Sequence, residues 1–97
     1  MRPYRQHSGD AGADLEVPIP YIIYPHETIL VKTGYTPQMF DIPRDAVGLV
    51  FARSSLHKKG LILANGVGVI DSGYEGEVLV PLHNLTDSPV VLEEHER

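Results

Sequence analysis

Between Asn65 and Val80 the chain places the carboxylate of Asp71 and the aromatic ring of Tyr74 in a stretch that includes the glycines Gly66, Gly68 and Gly76. A carboxylate within reach of a water is a sufficient base for hydrolytic attack. Glycine along a strand costs stability and marks places where something comes close to the backbone. The stretch therefore reads as a surface on which a flat ligand lies against the main chain, with Asp71 and Tyr74 beside it. An apolar arm, Val67 to Ile70, runs into the turn residues Asp71-Ser72-Gly73, and a second β-prone arm, Val78 to Val80, leaves them. A β-hairpin is expected.

A second informative segment is Ala52-Arg53-Ser54-Ser55-Leu56-His57-Lys58-Lys59-Gly60. Ser54 or Ser55 is a good N-cap and Gly60 a good residue to follow a helix, so about one helical turn fits between them. A helix start offers free N–H groups to an anion, and Arg53 adds a forked cation suited to phosphate. Arg53, Lys58 and Lys59 are three of only eight basic residues in a chain of net charge −5. That balance argues against non-specific binding to a nucleic-acid backbone and suggests a small anionic ligand. Taken alone, the segment is equally a plain strand–helix connection, with Arg53 in a surface salt bridge. Asp10 and Asp14, in Ser8-Gly9-Asp10-Ala11-Gly12-Ala13-Asp14-Leu15, also have two readings. They cap a tight turn, or Asp14 serves near a metal or a cationic side chain.

The elements that must position these residues are short. Glycine and proline number 9 and 8 and are spread along the chain, and the longest run free of both is Leu49 to Lys59. An ordinary helix has almost nowhere to sit. Apolar or alternating runs recur instead at Leu15–Val17, Tyr21–Tyr24, Thr28–Lys32, Val47–Phe51, Leu61–Leu63, Val67–Ile70, Val78–Leu82 and Val90–Leu92. Such spacing indicates an all-β sandwich or barrel. Val47–Phe51 and Leu61–Ala64 read as buried strands, and Tyr35 to Arg44 as a connection packed over the core. Met1 to Asp10 reads as polar and irregular.

The 97 residues make one domain with a small core, so partner chains are expected to contribute stability. There is no cysteine, which removes disulfides and thiolate metal sites. The histidines at 7, 26, 57, 83 and 95 show no paired spacing for zinc. No apolar run approaches a membrane span and no signal-peptide pattern opens the chain, so a cytoplasmic protein without membrane partners is expected.

Three stretches together resemble the trimeric deoxyuridine triphosphatase (dUTPase) family. Ala11-Gly12-Ala13-Asp14-Leu15 is similar to its first motif. Ala52-Arg53-Ser54-Ser55-Leu56, with Lys58 and Gly60, is similar to its second. Asn65, followed by Gly68-Val69-Ile70-Asp71-Ser72-Gly73-Tyr74-Glu75-Gly76-Glu77, is similar to its third. Their order and spacing make the resemblance specific, and it covers essentially the whole chain. It implies a distorted β-barrel or jelly-roll subunit with at most one short helix, and a homotrimer that shares active sites at its interfaces. It implies cleavage of dUTP to dUMP and pyrophosphate, with Mg²⁺ carried on the triphosphate and no direct protein ligand.

Carried over by position, Asp71 is the general base and Tyr74 stacks on the deoxyribose, leaving no room for a 2′-hydroxyl. Asn65 and the backbone around Gly68 read uracil. Arg53, Ser54 and Ser55 hold phosphates, and Asp14 supports the site near the metal-bound water or a basic residue. The resemblance further implies a single domain over 1–97 that is truncated. Glu94-His95-Glu96-Arg97 looks like the start of a fourth motif, the glycine-rich fifth is missing, and the loss of a first strand is expected. A non-catalytic nucleotide-binding or interaction module is the alternative on the same fold. The related dCTP deaminases are disfavoured. Their catalytic glutamate position is Pro81 here, no carboxylate lies between Val78 and Leu82, and an expected arginine is Lys58.

Overall fold

A computed structural model describes residues 12–40, 46–71 and 73–97. The segment up to Ala11, including Asp10, lies outside the described residues, as do 41–45 and Ser72. Among the described residues seven strands follow in order: β1 (Tyr21–Ile23), β2 (Thr28–Lys32), β3 (Gly48–Val50), β4 (Leu61–Leu63), β5 (Gly68–Ile70), β6 (Leu79–Asn84) and β7 (Val90–Leu92). All pairings are antiparallel. They form a central sheet β2-β6-β4 and two ribbons, β1-β7 and β3-β5. The all-β expectation holds.

Period-two alternation builds the core. Val31 on β2, Leu61 and Leu63 on β4, Leu82 on β6, Ile23 on β1 and Leu92 on β7 point inward and meet in one cluster. Ile62 and Leu30, one residue out of phase with these, face outward. β4 is thus buried on one face, not both.

Four local expectations are corrected. The arms on either side of Asp71 do not pair with each other. β5 pairs with β3, with Gly48 opposite Ile70 and Val50 opposite Gly68, while β6 pairs with β2 and β4. What survives of the hairpin is a tight turn closed by Tyr74 N–H donating to the Asp71 carbonyl at 3.0 Å. Second, β3 is not a buried strand. Leu49 and Val69 sit opposite each other, 53% and 64% exposed, with Phe51 beyond them at 65%. A two-stranded ribbon covered on one face leaves its other face bare, whatever its composition.

Third, Ser54 and Ser55 cap no helix. Leu56 N–H reaches back to the Arg53 carbonyl at 3.0 Å and closes a turn there. The helical piece that follows is one 3₁₀ turn, His57–Lys59, with no side-chain cap. Gly60 does end it, at φ 80° with its N–H on the His57 carbonyl, a conformation that suits glycine. A further 3₁₀ turn, Pro37–Phe40, occupies the expected connection. Fourth, Leu15–Val17 forms no strand, although Val17 exchanges backbone hydrogen bonds with His95 and Glu96.

Two polar anchors hold the sheets in place. Asn84, wholly buried, donates to the Ile23 and Ser88 carbonyls and accepts from the Thr86 N–H and hydroxyl. Its side chain therefore uses both donors and its acceptor, as a buried amide must. Thr33 donates to the Val78 carbonyl at 2.7 Å and accepts from Tyr35 N–H. Val78 N–H in turn donates to the Tyr35 carbonyl at 2.8 Å. These bonds fix the chain entering β6 to the segment leaving β2.

Candidate active site

β5 and the loop after it enclose a cleft of about 140 Å³. Asn65, Gly68, Ile70, Tyr74, Glu77 and Val80 are among the residues that line it. Gly68 sits close against the neighbouring strand there. A Cβ on it would lie 3.3 Å from the Val50 Cβ across the ladder. Asn65 stands in the exposed turn between β4 and β5, where Gly66 adopts φ 73°. Its neighbours offer main-chain groups in fixed order, and Val67 N–H donates to the Asn65 carbonyl at 2.8 Å. Such a rim can tell bases apart by donor–acceptor pattern, because a mismatched base leaves polar groups unpaired.

Tyr74 is 42% exposed at this cleft. Its phenol donates to the Glu77 carbonyl at 2.7 Å, and its own carbonyl accepts from the Gln38 side chain at 3.5 Å. Asp71 is exposed at the start of the same loop.

The basic segment lies elsewhere. Arg53 Nη1 donates to Asp14 Oδ2 at 3.0 Å, and Arg97 Nη1 reaches the same oxygen at 3.3 Å. One carboxylate thus orients two guanidinium groups. Ser54 and Ser55 are exposed on the turn that Arg53 opens, and Lys59 pairs with Glu96. Asp14, Arg53 and Arg97 line the mouth of a larger hollow of about 640 Å³ between the sheets, whose depth reaches Val31 and Leu82.

The β3–β5 register relates the two groups. Asp71 follows Ile70, which is opposite Gly48, whereas Arg53 lies three residues past Val50, which is opposite Gly68. The two residues thus follow opposite ends of the ladder within the single chain. Sequence reasoning placed them in a site shared between copies of the chain. It passed over Glu77, whose carboxylate accepts from Gly34 N–H at 2.6 Å, and Gln38. A glutamate beside a turn carries no signal that separates such a bond from solvation.

Comparison with known proteins agrees with the fold and the motifs. The dUTPase family model matches residues 2–97. The deoxyuridine 5′-triphosphate nucleotidohydrolase of Mycobacterium marinum is 41% identical over 97 residues, covering 98% of this chain and 61% of that protein. The crystal structure of dUTPase from Streptococcus mutans superposes with a TM-score of 0.83 at 38% identity, covering 98% of this chain and 77% of that one. A mutant dUTPase from phage phi11 of S. aureus, described with a structural Mg(II) ion, gives a TM-score of 0.76 at 31% identity over 89% of this chain and 54% of that one. Fold and motifs together define one class, the all-β domain of the dUTPase type. The chain belongs to the dUTPase family. It spans about three fifths of the length of the curated relatives it matches.

Proposed function

We propose that this chain, in a homotrimer, hydrolyses dUTP to dUMP and pyrophosphate in the cytoplasm. The observation that carries the reading is the cleft itself, in which Asn65, Gly68 and Tyr74 converge although up to nine positions separate them. Uracil lies against the backbone around Gly68, with Asn65 at its edge. The deoxyribose packs on the Tyr74 ring, where a 2′-hydroxyl has no room. Asp71 takes a proton from a water whose oxygen bonds to phosphorus, and the bridge between the α- and β-phosphates breaks. Pyrophosphate leaves with the bridging oxygen.

The phosphates are held by Arg53, Ser54 and Ser55, with Asp14 keeping the Arg53 fork oriented. Arg53 and Asp71 of one chain leave the ribbon at opposite ends, so this reading draws the two from different copies. The bare Phe51, Leu49 and Val69 side chains offer an apolar surface for the contact. Mg²⁺ fits as a passenger on the triphosphate. Among the described residues no three carboxylates or histidines gather to hold a metal, and Asp14 is engaged by two arginines. When bound, the ion supplies charge neutralisation at the phosphoryl oxygens.

The test is a nucleotide panel with Mg²⁺. Pyrophosphate release from dUTP, and not from UTP or dCTP, is expected. Binding of dUMP without turnover of dUTP at high protein concentration would replace catalysis with the non-catalytic module.

A further inference from the structure

Glycine at 76 has no backbone reason to be there. Its φ lies outside the left-handed region, unlike Gly34, Gly60 and Gly66. Its reason is a neighbour. A Cβ on Gly76 would lie 2.6 Å from the Tyr74 hydroxyl, 2.8 Å from Cζ and 3.2 Å from Cε1. The phenol is folded back over the Gly76 main chain, and any side chain there would push the ring away. The hydroxyl is then captured one residue further on, by the Glu77 carbonyl at 2.7 Å.

That acceptor is itself immobilised. The Glu77 carboxylate holds Gly34 N–H at 2.6 Å, and the adjoining Val78 is bonded at both its N–H and its carbonyl to Tyr35 and Thr33. Thr33 and Tyr35 are almost completely buried. The main chain of Tyr74 is fixed as well, through Asp71 and Gln38. The ring is therefore tied at its backbone and at its tip, and the second tie runs through Glu77 into the interior.

We infer that Gly76 and Glu77 are the positioning residues of a sugar gauge. Gly76 vacates the volume that the Tyr74 phenol occupies, and Glu77 fixes the carbonyl that holds it. Together they set the distance between ring and ligand on which discrimination between 2′-deoxyribose and ribose depends. A free tyrosine ring would swing aside for a 2′-hydroxyl, whereas a ring tied at both ends cannot. The inference rests on the reading of Tyr74 as the sugar-facing ring, and the experiment separates the two.

Calorimetric affinities for dUMP, UMP and dCMP are measured for the unmodified chain and for Gly76→Ala, Glu77→Ala, Glu77→Gln and Tyr74→Ala. Tyr74→Ala is expected to abolish the dUMP-over-UMP preference. Gly76→Ala and Glu77→Ala should each reduce that preference about tenfold or more, on the scale that small displacements cost. Both should leave the dUMP-over-dCMP preference intact, since base reading lies at Asn65 and Gly68. Glu77→Gln keeps an acceptor for Gly34 N–H and should retain the native ratio.

General loosening of the cleft would lower both ratios together and would overturn the inference. So would an unchanged sugar ratio in Gly76→Ala alongside a lost one in Tyr74→Ala. An unmodified chain without sugar preference, or a Tyr74→Ala chain that keeps it, would remove the reading of Tyr74 and the inference with it. If Gly76→Ala does not fold, Tyr74→Phe deletes only the hydroxyl held by Glu77. A reduced sugar ratio there supports the inference, and an unchanged one overturns it.

Discussion

Asp14 and Asp71 are both carboxylates in family motifs, yet their surroundings give them different work. Asp14 is spoken for by Arg53 and Arg97, while Asp71 stands exposed at the mouth of a turn. Replacing Asp71 by Asn keeps the shape and removes the proposed base. The expected outcome is a fall in kcat of about a thousandfold with dUMP affinity retained, which stopped-flow pyrophosphate release and calorimetry would measure. Asp14→Asn weakens the charge that orients the Arg53 fork. KM for dUTP is expected to rise about tenfold with a smaller change in kcat, the signature of lost phosphate holding. Gly68 and Tyr74 were singled out by glycine spacing and an aromatic, and Asn65 by resemblance to the family motif, and the structure places all three at one cleft. Glu77 was not, because its partner is a backbone N–H on Gly34, 43 residues away.

The elements show the same division between local and distant information. Thr28–Lys32, Leu61–Leu63 and Val90–Leu92 begin and end where their apolar alternation meets turn residues, and the structure keeps those limits. Strand partners are different. Nothing in Val67–Ile70 states that it joins β3, and proximity in sequence to β6 was the wrong guide. The serine pair misled for a related reason, since a hydrogen bond from Leu56 to Arg53 closes the turn before a serine-capped helix can begin. The anchors between elements are open to test. Thr33→Val deletes a buried donor and acceptor at constant shape and should cost about 2 kcal/mol in urea unfolding. Asn84→Ala strips partners from the Ile23 and Ser88 carbonyls and Thr86 N–H at once. It should cost about 3 kcal/mol or more, since several buried groups lose their bonds together.

At the scale of the whole molecule, the apolar ridge of Phe51, Leu49 and Val69 matters most. Read from composition alone, Val47–Phe51 belonged in the core. Composition cannot separate a core strand from one that another copy covers, because both are driven by loss of apolar surface to water. Leu49→Lys should leave the fold of the chain intact and shift the assembly toward smaller species, seen by sedimentation velocity at matched concentration.

If sites draw on two copies, as proposed above, the ladder that sends Asp71 and Arg53 out of opposite ends also governs inheritance of defects among subunits. Asp71→Asn and Arg53→Ala chains, each inert when purified separately, should regain turnover once unfolded, combined and refolded together. Some hybrid sites would then draw a sound base from one parent and a sound phosphate grip from the other. Were each chain to serve its own ligand, every such mixture would stay silent.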